Sequence, residues 1–208
     1  MPEILTLEQA AELTRTGDLW LFRGPTAGDH VIRTFTNSPV NHVGMAVVLE
    51  DLPPLMWHAE LGQSVEDVWT GTRHRGAQLH DLRAAVMTWT GRYRQECWLR
   101  QLNTEISKDM EDALLQEVAR KDGTPFPSTI SLAGRWARGR IRRAASAEGA
   151  YCAELVASSY QVMGLLDRRR PPNWYDPGRF WSGDRLELLK GASLGEEIMV
   201  AVPGGAGQ

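Results

Sequence analysis

Apolar positions fall into short extended runs in the first half of the chain and into helix-spaced stripes in the second. Thr6 with Gln9 has the form of a capping box and opens a short helix to about Leu13. Gly17-Asp18 turns the chain into LWLF, a strand over residues 18–23. Residues 25–41 are turn-rich, with Pro25, Gly28 and Pro39, although VIRTF (31–35) can form a helical turn. HVGMAVVLE (42–50) is a β-rich, mostly apolar run and reads as a buried strand. A turn at Asp51–Pro54 folds LMWHAEL (55–61) back as its hairpin partner. VEDVW (65–69) and AQLHDLRAAVMTW (77–89) read as further strands. From 107 to 121 the period becomes helical, with Met110, Ala113, Leu114 and Val118 on one stripe and Gly123 as the stop. Residues 123–148 are irregular and Arg-rich. A second helix runs from about Cys152 to Met163 and ends at Gly164. PPNWYDPGRFW (171–181) reads as a covering loop, and the GGAGQ tail as disordered. Strands first, with helices flanking or following, predict an α+β domain.

Composition narrows the class. The chain has 208 residues, 42% of them hydrophobic, enough for one globular domain that needs no covalent staples. A formal charge of -3 gives no hint of a nucleic-acid or membrane partner. Two cysteines, Cys97 and Cys152, exclude a disulfide-dense scaffold, and without CxxC spacing they are a poor start for structural zinc. The acidic N-terminus does not have the order of a signal peptide, and no run approaches the length of a membrane span. A soluble, cytoplasmic protein is the resulting expectation.

Candidate chemistry centres on Cys152. It shares its helix's apolar stripe with Leu155, Val156, Ser159, Tyr160 and Met163, so it can be plain core material. Placed in a first helical turn, it would instead face unpaired N–H groups and the positive end of the dipole. Both favour a thiolate, and the same N–H groups can stabilise an oxyanion. A nucleophile also needs a base. His42 opens the apolar strand, and His58 lies in the strand paired to it, where it could hold the first imidazole in one tautomer. Glu60 shares the side-chain parity of His58 and is a fallback orienter. His74 and His80 read as surface residues, and His30 as a cleft-entrance residue. No HxH or HExxH spacing offers metal ligands locally, so no metal and no cofactor are expected.

The order GDLWLFRG, SPVNHVGMAVVLE, WHAE and, much later, YCAELVASSYQVMGLL followed by WYDPGRF resembles the circularly permuted papain-like cysteine hydrolases. These are permuted NlpC-type amidases, YiiX/YaeF-like, related to lecithin:retinol acyltransferase-type enzymes. The match spans most of residues 16–182, so residues 1–15 read as a helical extension and 183–208 as a C-terminal segment. The resemblance implies an antiparallel sheet packed against the helix that carries the nucleophile at its N-terminus. It implies Cys152 as nucleophile, His42 as general base and His58 in the orienting position. "HA" stands where many bacterial members resemble "EA", which is closer to the double-histidine acyltransferase branch. Tyr151 is expected to line the oxyanion site, and Trp174 the cleft. Glu154 and Gly17-Asp18 also match and read as structural.

The reading is a cysteine hydrolase of amide or ester bonds on a small-molecule or peptide substrate. An anionic or lipid substrate fits the five arginines of GRWARGRIRR (134–143), if these rim the cleft. The rivals are a thiol acyltransferase, a non-catalytic binding module of the same fold, and a Cys/His zinc protein.

Overall fold

In the computed structural model, the described residues are 4–24, 39–60, 62–123 and 147–203. Among them seven strands form one sheet in the order β1-β7-β6-β2-β3-β4-β5. The strands are β1 (Ile4–Thr6), β2 (Leu19–Arg23), β3 (His42–Val47), β4 (Leu55–Glu60), β5 (Gly76–Asp81), β6 (Glu96–Leu102) and β7 (Leu194–Ala201). Every pairing is antiparallel except the edge pair β1–β7, which is parallel. Among the described residues four helices flank the sheet: α1 (Leu7–Leu13), α2 (Leu82–Met87), α3 (Lys108–Lys121) and α4 (Ala147–Val162). The α+β expectation holds at this level. No helix among the described residues is long and apolar enough to cross a membrane.

Strand alternation sorts the core into two layers. Val43, Met45 and Val47 of β3, with Leu55, Trp57 and Ala59 of β4, join α3 and α4 in one apolar layer. Trp57 donates its indole N–H to Ser159 Oγ at 3.2 Å, and Ser158 donates to Glu117 at 2.5 Å, tying α4 to the sheet and to α3. The alternate positions, among them Trp20, Phe22, Ala46 and Met56, meet α1, α2 and Trp89 in a second layer.

The Thr6/Gln9 capping box forms on both sides. Gly17 has φ +92°, and a Cβ there would lie 2.8 Å from Leu102, so a side chain is excluded twice over. Asp18 beside it accepts from the backbone N–H groups of Arg15 and Leu102. That carboxylate closes the turn into β2 and fastens it to β6.

Several local expectations change. VEDVW is a turn, because Asp67 turns inward to accept from Thr70 N and Leu79 N. The strand expected through residue 89 stops at Asp81, whose side chain caps α2 by accepting from Ala84 N. The second helix starts at Ala147 rather than near Cys152. β6 was not foreseen, and neither were β1 and β7, which residues 1–15 and 183–208 contribute to the common sheet. His30, VIRTF, GRWARGRIRR and the GGAGQ tail lie outside the described residues.

Candidate functional site

Three adjacent strands carry a continuous row of imidazoles on the face turned away from α4. His42 Nε2 lies 3.0 Å from His58 Nδ1, His58 Nε2 lies 2.9 Å from His80 Nδ1, and His80 Nε2 lies 3.0 Å from Gln78 Oε1. All four residues are buried. His42 and His58 therefore meet as expected, and His58 is the residue against His42. Glu60 turns aside: its Oε1 accepts from Tyr93 O–H at 3.0 Å and from Ser64 O–H at 3.5 Å. Its Oε2 is buried without a hydrogen-bond partner among the described residues, 3.8 Å from His80 Nδ1. A Cβ on Gly62 would collide with this carboxylate, so the turn after β4 must carry glycine.

One amide sets the direction of the row. Gln78 Nε2 faces the carbonyl oxygens of Glu60 and Gly76 at 3.5 and 3.4 Å, which can only accept, so Oε1 is the atom that faces His80. His80 Nε2 must then carry a proton, and its Nδ1 must accept from His58 Nε2–H. By the same logic His58 Nδ1 accepts from His42 Nε2–H. The chain of donors thus begins at His42 and leaves a lone pair on His42 Nδ1, which is buried and has no hydrogen-bond partner among the described residues.

The electrostatics agree with neutral rings. Burial pushes His42 down to about 3 and His80 down to about 4. His58 is driven well below the ordinary imidazole value by burial and by the two neighbouring histidines. Glu60 is pushed up by burial, against the hydrogen bonds from Tyr93 and Ser64. Trp89 stacks on His42 with ring centroids 3.9 Å apart and covers the row. It is carried by a widened π-helical turn, Thr88–Arg92.

Cys152 is fully buried in the other layer, in the cluster that contains Val43, Trp57 and Tyr160. It sits five residues beyond the start of α4, so the unpaired N–H groups of the first turn belong to residues ahead of it. This corrects the expected placement of the thiol at the helix head. The course of α4 is fixed at its far end. Tyr160 O–H donates to Gly17 O, and Leu189 N–H donates to Leu165 O. Gly17 N–H in turn donates to Ala46 O near the end of β3. The helix C-terminus thus lies where β2 begins and β3 ends. Along its length the helix packs on β3 and β4. Cys97 is the other buried thiol; no disulfide joins the two, and burial pushes Cys97 well above its ordinary value.

Tyr151 is buried beside Cys152. Trp174 stands apart from the imidazole row, on a surface cavity of about 580 Å³ whose lining includes Arg169, Arg170, Arg179 and Asp184. Arg170 and Arg179 lie over its ring at 3.8 and 4.6 Å. His74 is partly buried, 3.8 Å from Asp67. Asp122 joins this pair, and burial together with Asp67 pushes it up to about 7.

His80, expected at the surface, is the main residue that sequence reasoning misplaced. Together with Gln78 and Trp89 it completes the row. The missed signal is parity: with β5 antiparallel to β4, His58 pairs with Gln78, and every second residue faces the same layer. A second missed juxtaposition is His58, Glu60 and His80, whose ligand atoms all lie within 4.8 Å of one another.

No protein-family model and no curated protein sequence matches the chain. Among solved structures, the chain is similar to the metalloprotein yiiX from Escherichia coli O157:H7. The match has 20% identity and a TM-score of 0.47, covering 71% of this chain and 65% of that one.

Proposed function

We propose that the chain is a cysteine hydrolase of amide or ester bonds, with Cys152 as nucleophile, His42 as general base and His58 as its orienter. The observation that carries this reading is the lone pair on His42 Nδ1, left over by a row of hydrogen bonds that His42 heads and Gln78 Oε1 ends. The reading requires Cys152, whose helix packs on the other face of β3, to reach that nitrogen around the start of the strand. Cys152 S–H would give its proton to Nδ1 as sulfur attacks the carbonyl carbon. The imidazolium then protonates the leaving amine or alcohol as its bond to carbon breaks, leaving a thioester. Water, deprotonated by the same Nδ1, attacks the thioester and releases the acid and the thiol. Transfer to an alcohol or amine instead of water would make the same machinery an acyltransferase. His58 Nδ1 accepts from His42 Nε2–H throughout and holds the ring in the required tautomer.

Both reacting groups are closed to solvent, and burial keeps His42 neutral. The imidazole is therefore neutral in this closed arrangement, the form in which it can take a proton. Iodoacetamide alkylation of Cys152, followed by mass spectrometry from pH 5 to 10, tests the reading. His42→Ala should lose the neutral-pH reactivity by about 10²-fold or more, while Cys97 stays unmodified in both proteins. An identical profile with and without His42 would remove the base, and the hydrolase reading with it.

A further inference from the structure

The buried oxygen Glu60 Oε2 is a polar atom of the row's surroundings that the hydrolase reading leaves without a task. It is a full acceptor without a hydrogen-bond partner among the described residues, in a carboxylate that is 1% exposed. Next to it, at 3.8 Å, is His80 Nδ1, which is 2.9 Å from His58 Nε2. Two imidazole nitrogens and a carboxylate oxygen are the ligand set of a three-residue zinc site. Around a tetrahedral ion, with Zn–N near 2.0–2.1 Å, neighbouring nitrogens sit about 3.3 Å apart. The two rings would open by a few tenths of an ångström, and Glu60 would close from 3.8 Å on His80 and from within 4.8 Å on His58.

The outer shell that such a site needs is already built. His80 gives its Nε2–H to the Gln78 carbonyl oxygen, His58 Nδ1 faces His42, and Tyr93 and Ser64 hold the other oxygen of Glu60.

We propose that His58 Nε2, His80 Nδ1 and Glu60 Oε2 form a buried site for a divalent metal ion of the zinc class, and that filling it reverses the row and silences His42 as a base. The reversal is a matter of counting protons. Without metal the three rings carry protons on His80 Nε2, His58 Nε2 and His42 Nε2. With metal, His58 Nε2 must be bare to ligate, so His58 carries its proton on Nδ1 and donates it to His42 Nε2. His42 then carries its proton on Nδ1. Each ring remains neutral, three protons are present before and after, and none is released by the rings. The lone pair that would take the thiol proton is gone. The binding half of this proposal stands on the ligand geometry alone; the silencing half rests on the hydrolase reading.

The test uses the full chain after chelator treatment. Zn²⁺ is titrated in by calorimetry, and Co²⁺ is titrated in parallel for its visible absorption. One Zn²⁺ should bind, with tetrahedral-type Co²⁺ bands, and Cys152→Ser should bind equally well. Glu60→Gln, which keeps the shape and the contacts to Tyr93 and Ser64, should weaken binding at least tenfold. No binding at one equivalent, or binding that is lost in Cys152→Ser and retained in Glu60→Gln, would overturn the site. Imidazole ¹⁵N spectra read the second half without any substrate: His42 Nδ1 should change from a bare to a protonated nitrogen when Zn²⁺ is added. An unchanged His42 with Zn²⁺ bound would overturn the reversal. Binding and reversal in a protein whose Cys152 shows no His42-dependent alkylation would leave the site standing and strike only the hydrolase reading.

Discussion

The two faces of the β3–β4–β5 region are built from the same strands and do opposite things. Toward α4, the side chains of Val43, Met45, Val47, Leu55, Trp57 and Leu79 make an apolar layer. Toward Trp89, the side chains one residue out of phase are His42, His58, Gln78 and His80, linked in a single direction by hydrogen bonds. An apolar layer tolerates exchange of one hydrocarbon for another of similar volume. A directed row of hydrogen bonds does not, because each ring's tautomer depends on the previous one and an unmatched buried group is costly. One face thus supplies stability, and the other holds a chemical state.

Breaking each face separately should separate those roles. The largest effect is expected from Trp57→Ala, which empties a fully buried site and removes the hydrogen bond to Ser159. Urea unfolding should show a loss of about 3–5 kcal/mol. His58→Ala, on the other face, strands His42 Nε2–H and His80 Nδ1, and should cost roughly 1–3 kcal/mol for each group left unsatisfied.

Acid sharpens the contrast, because the three buried imidazoles lie on one face. His42, His58 and His80 all have folded-state values below the ordinary 6.5, with His42 at about 3 and His80 at about 4. As pH falls below 6.5 the unfolded chain takes up protons that the folded chain refuses, so stability falls. Urea midpoints of the chelator-treated protein should decline steadily from pH 6.5 toward 4 and be flat in this respect above 7. His80→Gln should show a shallower decline, and an unaltered slope would mean that the ring is not held neutral by burial.

Gln78→Leu keeps the fold of β5 but removes the acceptor that gives the row its direction. Alkylation of Cys152 near neutral pH should fall, and Zn²⁺ affinity should drop by about 10- to 100-fold. Gln78→Glu, which can still accept from His80, should recover the alkylation. The smallest effect belongs to Gly91→Ala in the π-helical turn, where an added Cβ meets nothing within 4 Å. Its stability should stay within about 0.5 kcal/mol of the parent.

How far the sequence could be read depends on the same alternation. β3 and β4 stand out because their apolar residues run almost unbroken, and His42 and His58 interrupt them conspicuously. His80 sits in QLHDLR, among polar neighbours, and nothing local distinguishes it from a surface histidine; only the antiparallel register against β4 turns it inward. β6 escaped notice because ECWLRQL contains Arg100. That cation is buried, with donors to the carbonyl oxygens of Gly195 and Phe180, partners 95 and 80 positions away. β7 alternates weakly, since Glu196 and Glu197 fall in its middle. The Cys152 stripe was legible as a helix, but the start of that helix was not, because the apolar spacing begins only at Cys152 and Gly149 interrupts the turn ahead of it.

The widened turn at Thr88–Arg92 has a genetic consequence. Tyr93 N–H reaches back to Thr88 O, five positions rather than four, so this segment holds one residue more than an α-helical turn would. The stacking of the indole on the first imidazole therefore depends on chain length here as well as on the identity of Trp89. Deleting Gly91 would rotate the two flanks of the turn against each other by about 100° and pull the indole out of register, baring the row to water. A change to an alanine codon at that position should pass unnoticed, while loss of the codon should not.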